Sequence, residues 1–189
     1  MLRQRGQNSL LGDGLTHLAA AFLGGLFAVT GAFLVNLILP ENSGWGWLNT
    51  LVFGPVCEEL LKASGAIYLL EKCPYRLHSG PALAAVVIAS AFIFAVCENL
   101  LYVHVYVDVA RLKHPMDYLL FRWTAPTALH LVCSAIASLG LMRIWHRDIR
   151  TGHTADLDTA YPFFATAMVL HGGYNLLAIL GDSFLFPKA

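Results

Sequence analysis

The segment CEELLK, residues 57–62, decides how this 189-residue chain folds. It places Glu58, Glu59 and Lys62 inside an apolar run that covers residues 48–70. A charged side chain at the centre of a bilayer costs ~2.5–3.5 kcal/mol on insertion scales, so such residues usually face a protein interior or a cavity and serve a function. The segment therefore predicts a buried polar site within a bundle of membrane helices.

The composition of the chain is that of a membrane protein. Hydrophobic residues make up 57% of it and charged residues 13%, whereas a soluble domain carries about 25% charged residues. The net charge is zero and no basic block occurs, which argues against a nucleic-acid partner. The four cysteines lack the spacing of a metal site, so we expect them to be small buried residues.

Five apolar runs are long enough to cross a bilayer, which takes about 20 residues. They cover residues 15–39, 48–70, 82–104, 118–145 and 162–181. The first run exceeds the length of a signal-peptide core, so we expect it to be retained as a helix. The pattern predicts an all-α polytopic bundle that forms one membrane domain, 1–189. Its expected parts are an N-terminal tail at 1–14, an accessory span at 15–39 and a four-span core at 48–181.

The distribution of basic residues predicts the orientation of the spans, because cytoplasmic loops carry the excess of lysine and arginine. One side of the predicted bundle has seven of them: Arg3, Arg5, Lys72, Arg76, Arg143, Arg147 and Arg150. The other side has Arg111, Lys113 and Lys188, with Arg122 just inside the fourth span. We therefore expect a cytoplasmic N-terminus and an external C-terminus.

Polar residues of four different spans are predicted to share one layer of the membrane. At 1.5 Å per residue, Glu58 lies ~15 Å from the outer end of its span, Glu98 ~9 Å, His130 ~18 Å and His171 ~15 Å. Neighbouring spans run in opposite directions, so unrelated polar residues need not agree in depth. This agreement predicts a single site.

Spacing within two of the spans supports the same conclusion. Lys62 follows Glu58 by four residues and Glu59 by three, which places the lysine on a helical face shared with either glutamate. Asn175 follows His171 by four residues and therefore shares its face. Each of these helices is expected to present a polar stripe to the site.

Together these residues resemble the motifs of PrsW-type intramembrane proteases. The matching segments are Glu58-Glu59-x-x-Lys62, Phe94-Ala95-x-x-Glu98-Asn99, His130 and His171-x-x-x-Asn175. They extend over residues 55–177, so the first span lies outside the resemblance. The motifs are also similar to those of the wider superfamily that includes type II CAAX prenyl endopeptidases, in which a histidine stands where this chain has Glu98.

The resemblance implies a membrane-embedded helical core that hydrolyses peptide bonds within or near the membrane, by a glutamic or a metal-dependent mechanism. It implies a single-span membrane-protein substrate, such as an anti-sigma factor, and a bacterial or archaeal cell membrane. Carried over by motif, the catalytic residues are Glu58, Glu59, Glu98, His130, His171 and Asn175, supported by Lys62 and Asn99. The ligands of a metal, Zn²⁺ or another divalent ion, would be Glu58, Glu98, His130 and His171.

Peptide hydrolysis needs a base for water, a stabiliser for the oxyanion and a proton donor for the leaving amine. Glu58 suits the role of base, with Glu59 paired to a lysine. Either His130 or His171 suits that of proton donor, and Asn175 could hold the oxyanion. The two glutamates and two histidines could instead bind Zn²⁺. No HExxH motif occurs to favour that alternative.

Two other functions fit carboxylates and histidines at this depth. An ion- or proton-coupled transporter also lines its path with such residues, although the chain lacks the internal repeat typical of transporters. A haem protein could use His130 and His171 as its two axial ligands. Both functions remain alternatives at the level of the sequence.

Overall fold

The computed structural model describes residues 8–40, 43–154 and 156–185. The described residues are 88% helical and contain no strand, so the predicted all-α fold is confirmed. The helices are α1 (Asn8–Ile38), α2 (Gly46–Leu48), α3 (Gly54–Lys72), α4 (Gly80–Leu101), α5 (Pro115–Ile144) and α6 (Tyr161–Leu185). Apart from the three-residue α2, these helices correspond to the five predicted runs.

Short turns of other helix types extend or connect these helices. π-Helical turns occupy Asn49–Phe53, Tyr102–Tyr106 and Trp145–Ile149, and 3₁₀ turns occupy Pro74–Arg76, Val109–Arg111 and Leu157–Ala160. The first π-helical turn joins α2 to α3 without a break. π-Helical turns occur frequently at functional sites, and this one directly precedes the charged segment of α3.

Four helical segments among the described residues are long and apolar enough to cross a membrane: Gly12–Ile38, Gly80–Tyr106, Pro115–Ile149 and Leu157–Gly181. The chain is thus an integral membrane protein. Helix α3 is not in this set, because it carries Glu58, Glu59 and Lys62. It packs against α1, α4, α5 and α6, so its charges are enclosed by the other helices.

Small residues let α1 pack closely on α3 and α4. Gly65 of α3 lies against the carbonyl oxygen of Ala20, where a Cβ atom would overlap it. A Cβ atom at Gly24 would lie 2.8 Å from Oγ of Ser90. Such close backbone approach is the usual basis of helix association in membranes. Helix α1 is therefore an integral part of the packing, and its accessory role stays a prediction.

Polar contacts tie the start of α1 to the connection between α3 and α4. Arg76 donates to Oγ1 of Thr16 at 2.6 Å, and Nε2 of His78 lies 2.9 Å from Oδ2 of Asp13. Nε2 of His17 donates to the carbonyl oxygen of Arg76 at 3.0 Å. These contacts hold the helix ends together on the side opposite the cavity described below.

Candidate active site

Helix α3 supplies the charged centre of the site. Glu59 and Lys62 are each 1% exposed, and Nζ of Lys62 donates to Oε1 of Glu59 at 2.6 Å. The three-residue spacing places both groups on one face of the helix. The predicted pairing of Lys62 with one of the two glutamates is thus observed, and the partner is Glu59.

His130 of α5 connects this ion pair to α4. Nδ1 of His130 lies 3.1 Å from Nζ of Lys62, and Nε2 lies 3.0 Å from Oε2 of Glu98. The ammonium group of Lys62 can only donate, so Nδ1 accepts and Nε2 carries the hydrogen that is donated to Glu98. The ring of Phe94 packs edge-on against His130 and lies beneath Lys62.

His171 of α6 completes the cluster from the other side. Nδ1 of His171 donates to Oε1 of Glu59 at 2.8 Å, and Nε2 lies 3.6 Å from Oε2 of Glu58. The rings of His171 and His130 meet edge to face, with centroids 5.0 Å apart. Since its Nδ1 carries the hydrogen, Nε2 of His171 presents a lone pair towards Glu58.

The structure therefore brings together the predicted residues of four helices. They are Glu58, Glu59, Lys62, Glu98, His130 and His171. Periodicity and depth had predicted this convergence. Their catalytic roles stay a prediction, because contact alone does not establish chemistry.

The two asparagines lie beside this cluster and make other contacts. Nδ2 of Asn175 donates to the carbonyl oxygen of Thr50 at 2.9 Å, within the π-helical turn that precedes α3. Nδ2 of Asn99 donates to Oγ1 of Thr127 at 3.0 Å, which links α4 to α5. Asn175 thus secures α6 to the π-helical turn. In this arrangement one of its two amide hydrogens is given to Thr50, so the predicted oxyanion role would depend on the other.

A cavity of about 1080 Å³ opens beside the cluster. Glu58, Glu98, His130 and His171 line it, whereas Glu59 and Lys62 do not. It extends to Trp47, Tyr106 and Arg111 in the segments that connect α1 to α3 and α4 to α5. Of the two adjacent glutamates on α3, Glu58 therefore faces the cavity, whereas Glu59 lies behind the cavity wall.

Two further cavity residues were not predicted from the sequence. Nη2 of Arg122 donates to Oε2 of Glu98 at 3.3 Å, and its guanidinium carbon lies 3.8 Å from the ring centroid of Tyr102. Tyr174 lines the same cavity next to Asn175. An arginine inside an apolar span is itself a signal of function, so Arg122 could have been found. The tyrosine gave no such signal.

Three of the cluster residues suit a divalent metal ion. One ligand atom from each of Glu58, His130 and His171 lies within 4.8 Å of the other two. Oε2 of Glu58 is buried and has no hydrogen-bond partner among the described residues. Two histidines and a glutamate form a known catalytic zinc set, and a carboxylate on the far nitrogen of a ligating histidine, here Glu59 on His171, orients the ring.

The predicted fourth ligand, Glu98, lies outside this group of three. Its Oε2 atom accepts from both His130 and Arg122. Ligation of a metal through Nε2 of His130 would require the hydrogen bond to Glu98 to be given up. Glu58, His130 and His171 can therefore act together as three ligands of a metal ion, and Glu98 lies next to them.

Comparison with known proteins gives one match. The model of a family described as PrsW family intramembrane metalloprotease matches residues 13–187. No curated protein and no solved structure matches the chain at a significant level. The match extends well beyond the predicted 55–177 and includes α1, so the expectation that the first span lies outside the family was wrong. A relationship to the CAAX prenyl endopeptidases stays a prediction.

Proposed function

Since the chain belongs to the PrsW family of intramembrane metalloproteases, we propose that it hydrolyses a peptide bond of a single-span membrane protein inside the cavity beside α3. One observation carries this proposal: ligand atoms of Glu58, His130 and His171 converge within 4.8 Å, and the cavity reaches all three residues. Glu98 lines the same cavity, so a carboxylate is available for proton transfer next to the proposed ligands.

In this proposal Glu58, His130 and His171 hold a divalent cation, Zn²⁺ or a related ion. When bound, such an ion polarises the scissile carbonyl and makes water a nucleophile at neutral pH. Glu59 keeps His171 oriented by accepting from its Nδ1 atom at 2.8 Å, and Lys62 balances the charge of Glu59. The glutamate behind the cavity thus supports the ligands without contacting substrate.

Glu98 is the proposed proton carrier. Among the described residues both of its hydrogen-bond donors, His130 and Arg122, contact the same oxygen, Oε2. If His130 holds the cation through Nε2, its hydrogen bond to Glu98 is given up and Arg122 remains, so Glu98 can accept from a water molecule in the cavity. We propose that this carboxylate accepts the proton of the attacking water and delivers it to the leaving amine. A positioned general base of this kind contributes about 10²–10⁴-fold to the rate.

The proposed substrate follows from the position of the site inside a membrane. A spanning helix satisfies its backbone hydrogen bonds internally, so it must unwind locally before a carbonyl can be attacked. Segments with glycine, proline or small residues at the depth of the site should therefore be cleaved first. We propose an anti-sigma factor or a similar single-span protein of a bacterial or archaeal cell membrane as the partner.

The test is cleavage of tagged single-span proteins by the reconstituted chain, with the product ends read by mass spectrometry. Glu58→Gln and Glu98→Gln should each lower the rate about 10²-fold or more. Glu58→Gln should also lose bound metal in elemental analysis, whereas Glu98→Gln should retain it. Glu71→Gln is the matched control, because Glu71 lies on the same helix and is exposed.

Three outcomes would count against parts of this proposal. Wild-type cleavage by both variants would remove the two glutamates from the mechanism. Full activity with no bound metal and no effect of chelators would favour a glutamic mechanism at the same residues. Ion or proton flux in proteoliposomes without any cleavage would favour the transporter.

A further inference from the structure

Arg122 has more hydrogen-bond donors than the described residues satisfy. A guanidinium group carries five N–H donors and no acceptor, but its one hydrogen bond within the described part of the chain is the 3.3 Å contact from Nη2 to Glu98. The Nε atom is buried without a partner there. Because Tyr102 covers one face of the group at 3.8 Å, further acceptors must approach at the edge.

Tyr174 presents a second unused donor in the same cavity. Its hydroxyl oxygen is buried and has no hydrogen-bond partner among the residues that the structure describes. Both Tyr174 and Arg122 line the cavity. Two residues from different helices, α5 and α6, thus have donors available in one cavity.

An unwound substrate would bring the matching acceptors. When a helix unwinds inside a membrane, its carbonyl oxygens lose their partners, and no bulk water is present to replace them. We propose that Arg122 and Tyr174 form a subsite that donates hydrogen bonds to backbone carbonyl oxygens of the unwound substrate segment. This inference rests on the proposed function and names the group that the cavity recognises.

The contacts of Glu98 place the subsite close to the reacting atoms. Nη2 of Arg122 and Nε2 of His130 lie 3.3 Å and 3.0 Å from the same oxygen of Glu98. An extended chain advances ~3.3–3.6 Å per residue. The carbonyl bound by Arg122 therefore belongs to a residue within about two positions of the scissile bond.

Binding can be measured separately from cleavage. The protein is the Glu58→Gln variant in nanodiscs, and the probe is a fluorescent synthetic peptide of about 20 leucine and alanine residues with a central Gly-Pro break. Single thioamides replace the amides next to the break, because sulfur accepts hydrogen bonds more weakly than oxygen. We expect a thioamide at one or two of these positions to weaken binding about fivefold, which corresponds to ~1 kcal/mol.

The decisive result is the coupling between peptide and protein changes, since a double-mutant cycle isolates the interaction of two groups. In Arg122→Gln or Tyr174→Phe the thioamide penalty should disappear. Arg111→Gln is the matched control, because Arg111 lines the same cavity but is exposed and paired with Asp108; it should leave the penalty intact. If Arg122→Gln fails to fold, the same measurement on Tyr174→Phe decides between the outcomes.

Two results would overturn the subsite. Additive effects of the thioamide and of Arg122→Gln would mean that Arg122 acts only through Glu98. Binding that depends on a glutamate or a free C-terminus in the peptide, and not on the thioamide, would mean that the subsite takes a carboxylate. Cleavage of the unmodified peptide by the parent protein is scored separately, so failure of the proposed function would leave the coupling result unaffected.

Discussion

Lys62 occupies the centre of the polar cluster, with 1% of its surface exposed. Its ammonium group contacts Glu59 at 2.6 Å and His130 at 3.1 Å. It therefore neutralises a carboxylate behind the cavity and determines which nitrogen of His130 faces Glu98. A single side chain thus influences both the charge and the geometry of the residues that face the cavity.

We expect Lys62→Met to destabilise the protein more than Glu59→Gln does. The cluster holds three carboxylates, Glu58, Glu59 and Glu98, and two cations, Lys62 and Arg122. Lys62→Met leaves three carboxylates against one cation, and an uncompensated buried charge costs about 3–5 kcal/mol. Glu59→Gln leaves two carboxylates and two cations, and the glutamine oxygen can still accept from Lys62. Thermal unfolding in detergent measures both variants. Equal shifts in melting temperature would show that Lys62 is solvated in the folded protein.

At the scale of elements, the π-helical turn Asn49–Phe53 positions α3 against α6. Gly172 of α6 lies against the carbonyl oxygen of Leu51, where a Cβ atom would overlap it. Asn175, one turn later, donates to the carbonyl oxygen of Thr50. Gly172 and Asn175 thus hold α6 against the turn that precedes the charged segment of α3.

Gly172→Ala and Gly173→Ala form a matched pair that tests this contact. A Cβ atom at Gly172 meets the backbone of Leu51, whereas one at Gly173 meets no atom within 4 Å. We expect Gly172→Ala to cost about 1–3 kcal/mol through overpacking and to lower any cleavage rate, because His171 moves with it. Gly173→Ala should be neutral or stabilising by up to ~1 kcal/mol. Equal unfolding temperatures for the two variants would contradict the tight contact.

At the scale of the whole molecule, the cavity lies at the opposite end of the bundle from the contacts of Arg76 with Thr16 and of His78 with Asp13, which we call the polar clasp. The cavity reaches the connections 46–54 and 102–112, and the clasp involves the start of α1 and the α3–α4 connection. The excess of basic residues lies on the side of the clasp. The positive-inside rule therefore predicts that the cavity mouth lies on the outer side.

We expect the cysteine of an Arg111→Cys variant to react with a membrane-impermeant thiol reagent added outside intact cells. The cysteine of an Arg150→Cys variant should react only after the cells are lysed. The background for both is a chain in which Cys57, Cys73, Cys97 and Cys133 are replaced. The physical reason is that lysine and arginine near span ends are retained in the cytoplasm. The opposite labelling pattern would reverse the orientation and direct the cavity mouth to the cytoplasm.

Local features of the sequence determined the membrane class, the five helices and the common depth of Glu58, Glu98, His130 and His171, because hydropathy and the rise per residue depend on neighbours along the chain. Only the tertiary structure decided which side chains pair. Periodicity does not specify the rotation of one helix against another. For that reason only the assembled bundle revealed four features. They are the contact of Lys62 with His130, the hydrogen bond of Asn175 to the π-helical turn, the close packing of α1, and the donors of Arg122 and Tyr174 that no described residue satisfies.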